Sequence, residues 1–355
     1  MRYVVFGPAS DEPTVASTAV NIASTHIIMT EAVPFPPEGN LKEQLSHFWK
    51  LDSIGGLPDE SSVHDKFEET VKFTGERYEV DLLWKESHPM LPDNFDLSAA
   101  RLHHLVRKLQ TDKDLLREYN ELIRYRVASE IVEEVLADSN PVTGKVHYFP
   151  HHPVIRRDKE TTKVRIVYDA SARKSGPSLN GCLYTGHSLI HKIMDILVRF
   201  RFHKVALVSD VEKAFHQVSI APEDRDVLWF LWIDDATSPE PRIVVYRFTR
   251  TVFGFNCSPF LLNASMSHHI QQYYQTTLPL FERFLLSLYV DDFSGVANTT
   301  PEAYQLYLKS RARMAEGGFN LRKWQSIDAE LRQLINSHAE QKFTGTKRAT
   351  SGTSR

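Results

Sequence analysis

Two cysteines, Cys182 and Cys257, are all that the 355 residues contain. Neither sits in a pair at metal-ligand spacing, which excludes a disulfide framework and a zinc ribbon and points to a reducing compartment. No apolar stretch approaches the ~18 residues that a spanning helix needs, so no membrane partner is expected. Met1 to Ala16 lacks the basic segment and apolar run of a secretory signal. Internal repeats are absent as well. What is present is ordinary for a folded protein, 42% hydrophobic and 25% charged, enough for a sizeable core. The net charge of -3 hides an asymmetry. Between Asp52 and Asp96 stand twelve acidic and four basic residues, whereas Lys145 to Lys174 has eight basic against three acidic. Such a basic stretch is either a solvated face or a phosphate-contacting surface.

Periodicity orders the chain coarsely. Leu45, Phe48 and Trp49 suggest a short amphipathic helix from Leu41, and Phe73 to Trp84 alternates like a strand. Ser98 is the expected N-cap of a long helical region. Its stripes are Leu102, Leu105, Val106, Leu109 and, after Thr111-Asp112, Leu115, Leu116, Tyr119, Leu122 and Ile123. From His147 to Tyr168 the composition turns β-rich. Two apolar runs, Val205 to Ser209 and Leu285 to Val290, each end at carboxylates: Asp210 in the first case, Asp291-Asp292 in the second. Strands and helices interleave without regular βα alternation. An α+β fold with helices on one face of a sheet is therefore expected. The tail from Thr344 to Arg355 is expected to be disordered.

Chemistry concentrates in four segments. In Leu288-Tyr289-Val290-Asp291-Asp292-Phe293-Ser294-Gly295-Val296 an acidic pair stands between apolar halves, the pattern of a tight hairpin with Asp-Asp at its turn. A bare Asp-Asp means little, and Asp234-Asp235, running into Pro239 and Pro241, reads as a surface loop. Buried carboxylates, by contrast, are costly unless a cation compensates, and magnesium is the natural one. Asp210-Val211-Glu212-Lys213-Ala214-Phe215 adds a carboxylate from a second strand, as two metals ~3.5–4 Å apart require. Phe253-Gly254-Phe255-Asn256-Cys257-Ser258-Pro259-Phe260 is a turn entering a helix. Lys163-Val164-Arg165-Ile166-Val167-Tyr168-Asp169 would put Lys163 and Arg165 on one strand face, suited to a triphosphate. The paired histidines His103-His104, His151-His152 and His268-His269 lack further ligands at zinc spacing.

In this order the four segments resemble the reverse transcriptase family, and specifically the polymerase of BEL/Pao-type LTR retrotransposons. Tyr289-Val290-Asp291-Asp292 resembles the family's Tyr-x-Asp-Asp box, and Asp210 with Ala214-Phe215 its first palm carboxylate and following aromatic. Phe253-Gly254 with Ser258-Pro259 resembles the box lining the template and nucleotide pocket. Gly318-Phe319-Asn320-Leu321-Arg322-Lys323-Trp324 is similar to the later palm segment that ends in a lysine. The finer assignment rests on Leu91-Pro92-Asp93-Asn94, Tyr148 to Val154, Tyr168-Asp169-Ala170-Ser171, Ser178-Leu179-Asn180 and Phe200-Arg201.

The resemblance implies a right-hand polymerase, with a ferredoxin-like palm sheet backed by helices, fingers, and a largely missing thumb. It implies catalysis by Asp210, Asp291, Asp292 and Lys323, the three aspartates holding two Mg2+ ions, with Mn2+ as the alternative. Substrate contacts would come from Phe215 as steric gate, from Arg165, Lys163 and Arg157, and from Phe253, Gly254 and Tyr289. Partners would be an RNA or DNA template with primer, dNTPs, and the other domains of a parent polyprotein. The expected segments are 1–40, a remnant of an upstream aspartic protease region; 41–140, a helical extension; 141–340, fingers and palm; and 341–355, the tail. The expected location is cytoplasmic, in a virus-like particle or free in the cell, or nuclear. Ala170-Ser171, where many relatives have a second basic residue, would alter the triphosphate grip. Two rivals stand beside this reading: an inactive truncated fragment that at most binds nucleic acid, and an RNA-templated RNA polymerase, which Phe215 disfavours.

Overall fold

The computed structural model describes residues 60–136, 141, 145–155, 164–189, 193–238, 240–272 and 285–338. The expectations for residues 1–40, for the helix from Leu41, for Arg157 and Lys163, and for the tail lie outside them. Contacts divide the chain into two units, 1–61 and 62–355, and the described elements belong almost wholly to the second.

The fold is a mixed α+β one. Helix α1 (Glu60–Thr70) leads into strands β1 (Lys72–Phe73) and β2 (Tyr78–Val80). The expected single strand over Phe73 to Trp84 is thus interrupted by a turn carrying Gly75 at φ +95. Helix α2 (Phe95–Gln110) begins three residues before the expected cap. Asn94 is its N-cap, in the left-handed region at φ 61, and Asp93 Oδ1 accepts from the Phe95 amide at 3.2 Å. Ser98 instead lies buried within the helix, donating to the Tyr148 carbonyl at 3.1 Å. Tertiary contact thus claimed a hydroxyl that local sequence offered as a cap. Helix α3 (Lys113–Ala128) starts where the stripes break, because Asp112 caps the Leu115 amide at 3.0 Å. Leu102, Leu105, Val106, Leu109, Leu116, Tyr119 and Ile123 are buried, as the stripes require.

Strand β3 (Val132–Glu134) joins β8 (Trp229–Ile233) and β9 (Ile243–Phe248) in a three-stranded sheet of order β3-β9-β8. The loop between β8 and β9 holds Asp234 and Asp235 at the surface, Asp234 pairing with Arg242 at 2.8 Å. Strands β4 (His151–Ile155) and β5 (Val164–Tyr168) form an antiparallel pair. Beneath them Tyr119, His151, Tyr168, Phe149, Phe230, Phe248 and Trp232 pack ring against ring. The His151 Nε2–H donates to the Leu231 carbonyl at 2.8 Å, leaving Nδ1 to accept from the Tyr119 hydroxyl. This polar pair is therefore satisfied inside an aromatic core.

The sheet that matters for chemistry has the order β10-β11-β6-β12. Its strands are β6 (Val205–Val211), β10 (Leu288–Tyr289), β11 (Asp292–Ala297) and β12 (Leu321–Ser326). Along β11, Phe293, Gly295 and Ala297 are buried while Asp292, Ser294 and Val296 are half-buried, the period-two pattern of a strand with one packed face. Helix α7 (Thr300–Glu316) packs on this sheet, with Tyr307 edge-on to Trp324 and Trp324 edge-on to Phe293. Thr299 caps α7 by accepting from the Glu302 amide. Between these elements stand α4 (Leu179–Cys182), α5 (Ile193–Phe202), strand β7 (Ser219–Ile220) in the β1-β2-β7 sheet, and α6 (Ser258–Gln271).

Candidate active site

Strands β6 and β11 pair with Asp210 directly opposite Asp292. Side chains at opposed positions share a face with Cβ atoms ~4.5–5.5 Å apart, so the ladder brings together two carboxylates that repel one another. Asp291 is at the hairpin tip, where its carbonyl accepts from the Val211 amide at 2.8 Å and ties the tip to β6.

The turn itself differs from the expectation. Leu288 pairs with Phe293 and Tyr289 with Asp292, so the two-residue turn is Val290-Asp291, and Asp292 is the first residue of β11. Placing Phe293 on the buried face, where it is fully enclosed, sets this register, since a one-residue slip would expose it. Val290 then takes φ 56 at the first turn position, a place glycine normally fills. A β-branched residue there stores roughly 1–3 kcal/mol of strain. Asp210 likewise lies within β6 rather than just beyond its end.

Lys323 has φ 52 inside a bulge between Arg322 and Gln325, where the β12–β6 register shifts. Such a bulge re-aims a side chain, and here Lys323 Nζ lies 3.0 Å from Asp210 Oδ2. Arg322 Nε approaches the same oxygen at 3.4 Å, while its Nη1 donates to Glu212 Oε1 at 2.9 Å. Asn320 Nδ2 holds the other Glu212 oxygen at 2.8 Å. Two cations thus secure Oδ2 of Asp210, whereas its Oδ1 is buried with no hydrogen-bond partner. Burial raises the Asp291 carboxyl above the usual carboxylate range; Asp210 reinforces this and Lys323 opposes it.

This donor set suits a hard cation. The unpartnered Oδ1 and the raised Asp291 are what a divalent ion would relieve. Among the described residues no group of three His, Cys, Asp or Glu side chains converges as a finished cluster.

A second group lies around Phe215, in the 3-10 turn Ala214–Gln217 that follows β6. Phe215 is buried and meets the exposed ring of Phe253 at 4.2 Å between centroids. The Thr251 hydroxyl donates to the Phe215 carbonyl, and the Thr251 carbonyl accepts from His216 at 3.0 Å. Burial holds the His216 imidazole down to about 4, so it packs as a neutral ring. Gly254 has φ +120, and a Cβ on it would stand 2.2 Å from the Tyr168 carbonyl oxygen at the end of β5. Only glycine permits that backbone approach. Asn180 secures the same turn: its Nδ2 donates to the Gly254 carbonyl at 2.9 Å and to Ser171 Oγ at 2.8 Å. Its Oδ1 accepts from the Asn256 amide at 3.0 Å.

The structure therefore brings Asp210, Asp291, Asp292 and Lys323 to one end of the sheet, across β11, β6 and β12, and joins Phe215 to Phe253 and Gly254 to β5. Tyr289 is half-buried opposite Asp292. Arg165 is exposed on β5, three residues before Tyr168, and among the described residues it forms no ion pair with the aspartates. Sequence reasoning passed over Glu212 and Arg322, although both flank chosen residues. It also assigned no role to Asn180, whose partners are separated from it by up to 76 residues.

Opposed carboxylates with adjoining cations, on an antiparallel sheet of an α+β fold, are compatible with enzymes that handle phosphate esters. The family model described as reverse transcriptase (RNA-dependent DNA polymerase) matches residues 122–329, more than half of the chain, and the chain belongs to that family. It is thus by class an RNA-directed DNA polymerase, a nucleotidyltransferase that works on nucleic acid templates and dNTPs. Enzymes of this family generally use divalent metal ions. No curated protein matches the chain.

Proposed function

We propose that this chain is the polymerase of a BEL/Pao-type LTR retrotransposon polyprotein. In this reading the β10-β11-β6-β12 sheet is the palm, and the β4–β5 pair belongs to the fingers. Residues 1–40 are the remnant of an upstream protease region, and 41–140 are an N-terminal extension. The observation that supports the polymerase reading is the opposition of Asp210 and Asp292 across β6 and β11, with Asp291 at the adjoining tip, while the BEL/Pao assignment rests on the sequence segments alone.

The primer 3′-hydroxyl loses its proton to water as its oxygen bonds to the α-phosphorus of a dNTP, the bond from that phosphorus to the bridging oxygen of the β-phosphate breaks, and pyrophosphate leaves. Asp210, through Oδ1, with Asp291 and Asp292 would hold two Mg2+ ions; when bound, these lower the pKa of the 3′-hydroxyl and neutralise the leaving phosphates. Lys323, beside Asp210, holds a proton within reach of this region and gives it to the leaving pyrophosphate. Phe215 closes the sugar side of the pocket, its ring clashing with a ribose 2′-hydroxyl, and Phe253 buttresses it. Gly254 and Tyr289 shape the pocket wall, and Arg165, with Lys163 and Arg157, grips the triphosphate.

Primer extension on an RNA template with dNTPs and Mg2+ tests the proposal, comparing the intact chain with Asp291→Ala. Extension that the substitution abolishes supports it. If folded intact protein extends nothing, and template binding is the same in both, the chain is a relic that keeps the motifs without the activity.

A further inference from the structure

A second group of cations lies outside the carboxylate site, where β2, β7 and the residues after β9 meet. Glu79 of β2 pairs with Ser219 of β7, and Ser219 in turn bridges to Arg250. Arg250 is 8% exposed, yet among the described residues no carboxylate lies within ion-pair distance of it. Its Nη1 donates to Ser219 Oγ at 2.7 Å, while its Nε is buried with no acceptor. Arg77 repeats the pattern, with Nη1 donating to Gln217 Oε1 at 2.9 Å and Nε again buried without a partner. The two guanidiniums are anchored to partners only two residues apart, Gln217 and Ser219; burial, and after it the charge of Arg77, holds Arg250 down to about 10. Arg225 adds a third positive charge nearby, but it is paired with Glu79 at 3.5 Å. The other carboxylates in the vicinity, Glu76 and Glu130, are exposed, where water screens them.

A buried guanidinium without a counter-ion is costly, and further positive charge in its vicinity adds to the cost. Native structures seldom leave buried N–H donors without acceptors, and water or a bound ion supplies the acceptor at such places. Guanidinium forks with unpartnered Nε–H groups suit an oxyanion such as phosphate, and among the described residues no carboxylate side chain pairs with either of them. We propose that Arg77 and Arg250, assisted by Ser219 and Gln217, form a phosphate-binding site distinct from the carboxylate cluster. Its ligand is a phosphate group, either free or carried on a nucleic acid strand. The site touches the nucleotide pocket through the backbone, because the residue after Arg250 is Thr251, which holds the Phe215 carbonyl. An occupied site would steady the segment that carries Phe215. Phosphate binding here depends on the arginines alone and does not require the polymerase reading.

The test is a titration with inorganic phosphate, followed by calorimetry and by thermal unfolding, on the intact chain, Arg250→Met and Arg77→Met. Saturable binding that stabilises the intact chain, and that weakens about tenfold or more in each variant, is the expected result. Arg77 is only half-buried, so its variant carries the test should Arg250→Met fail to fold. Competition by short single-stranded DNA would assign the site to strand phosphates, and its absence to free phosphate; the site stands in both cases. Phosphate that leaves the unfolding temperature unchanged, or that binds the intact chain and both variants equally, overturns it.

Discussion

Replacing Gly254 by alanine tests how tightly the turn at Phe253-Gly254 is pressed on β5. Two costs add at this position. The backbone at φ +120 is one that side-chain-bearing residues rarely adopt, and holding alanine there costs roughly 1–3 kcal/mol. The new Cβ would also stand 2.2 Å from the Tyr168 carbonyl oxygen, and backbone on both sides must shift, for a further ~1–3 kcal/mol. Gly75 supplies the control: it has φ +95, but an added Cβ there meets nothing within 4 Å. Gly75→Ala therefore carries the first cost alone. The comparison is made by thermal unfolding, where 1 kcal/mol shifts the midpoint of a domain this large by about 2 °C. Gly254→Ala should unfold several degrees below Gly75→Ala, and dNTP KM should rise in Gly254→Ala only. Equal midpoints for the two variants would show that the turn does not press on β5.

Three further outcomes are expected. Asn180→Ala removes the bonds that tie Gly254 and Asn256 to Ser171, so dNTP KM should rise several-fold with template affinity unchanged; an unaltered KM would leave Asn180 with a purely local role. Lys323→Met should slow the chemical step by about 100-fold, with stability barely changed because the side chain is 67% exposed; an unchanged pre-steady-state rate would remove Lys323 from proton transfer. His151 is held down to about 4 by burial, from an ordinary 6.5. The unfolded chain therefore takes up this proton first as pH falls, so the histidine's contribution to stability is full above 6.5 and is lost between 6.5 and about 4. Denaturant unfolding should show a shallower acid loss in His151→Gln, by on the order of 3 kcal/mol at most; parallel pH curves would contradict the assignment.

Much of this was legible in the residues themselves. The stripes of α2 and α3, the alternation of β5, and the carboxylates beside apolar runs at Asp210 and Asp291-Asp292 are local patterns, and local patterns report which face of an element is buried. The order of the boxes was enough to suggest the family. Tertiary structure decided the rest. Whether the hairpin turns at Val290-Asp291 or one residue later depends on which face Phe293 must occupy, and the partner sheet sets that. Whether Ser98 caps a helix or serves the Tyr148 carbonyl depends on a segment 50 residues away. Lys323 meets Asp210 across 113 residues through a bulge, Asn180 meets Gly254 across 74, and Arg250 meets Ser219 across 31. Periodicity along a chain carries no information on such meetings, because register and bulges are settled only when distant strands close on one another.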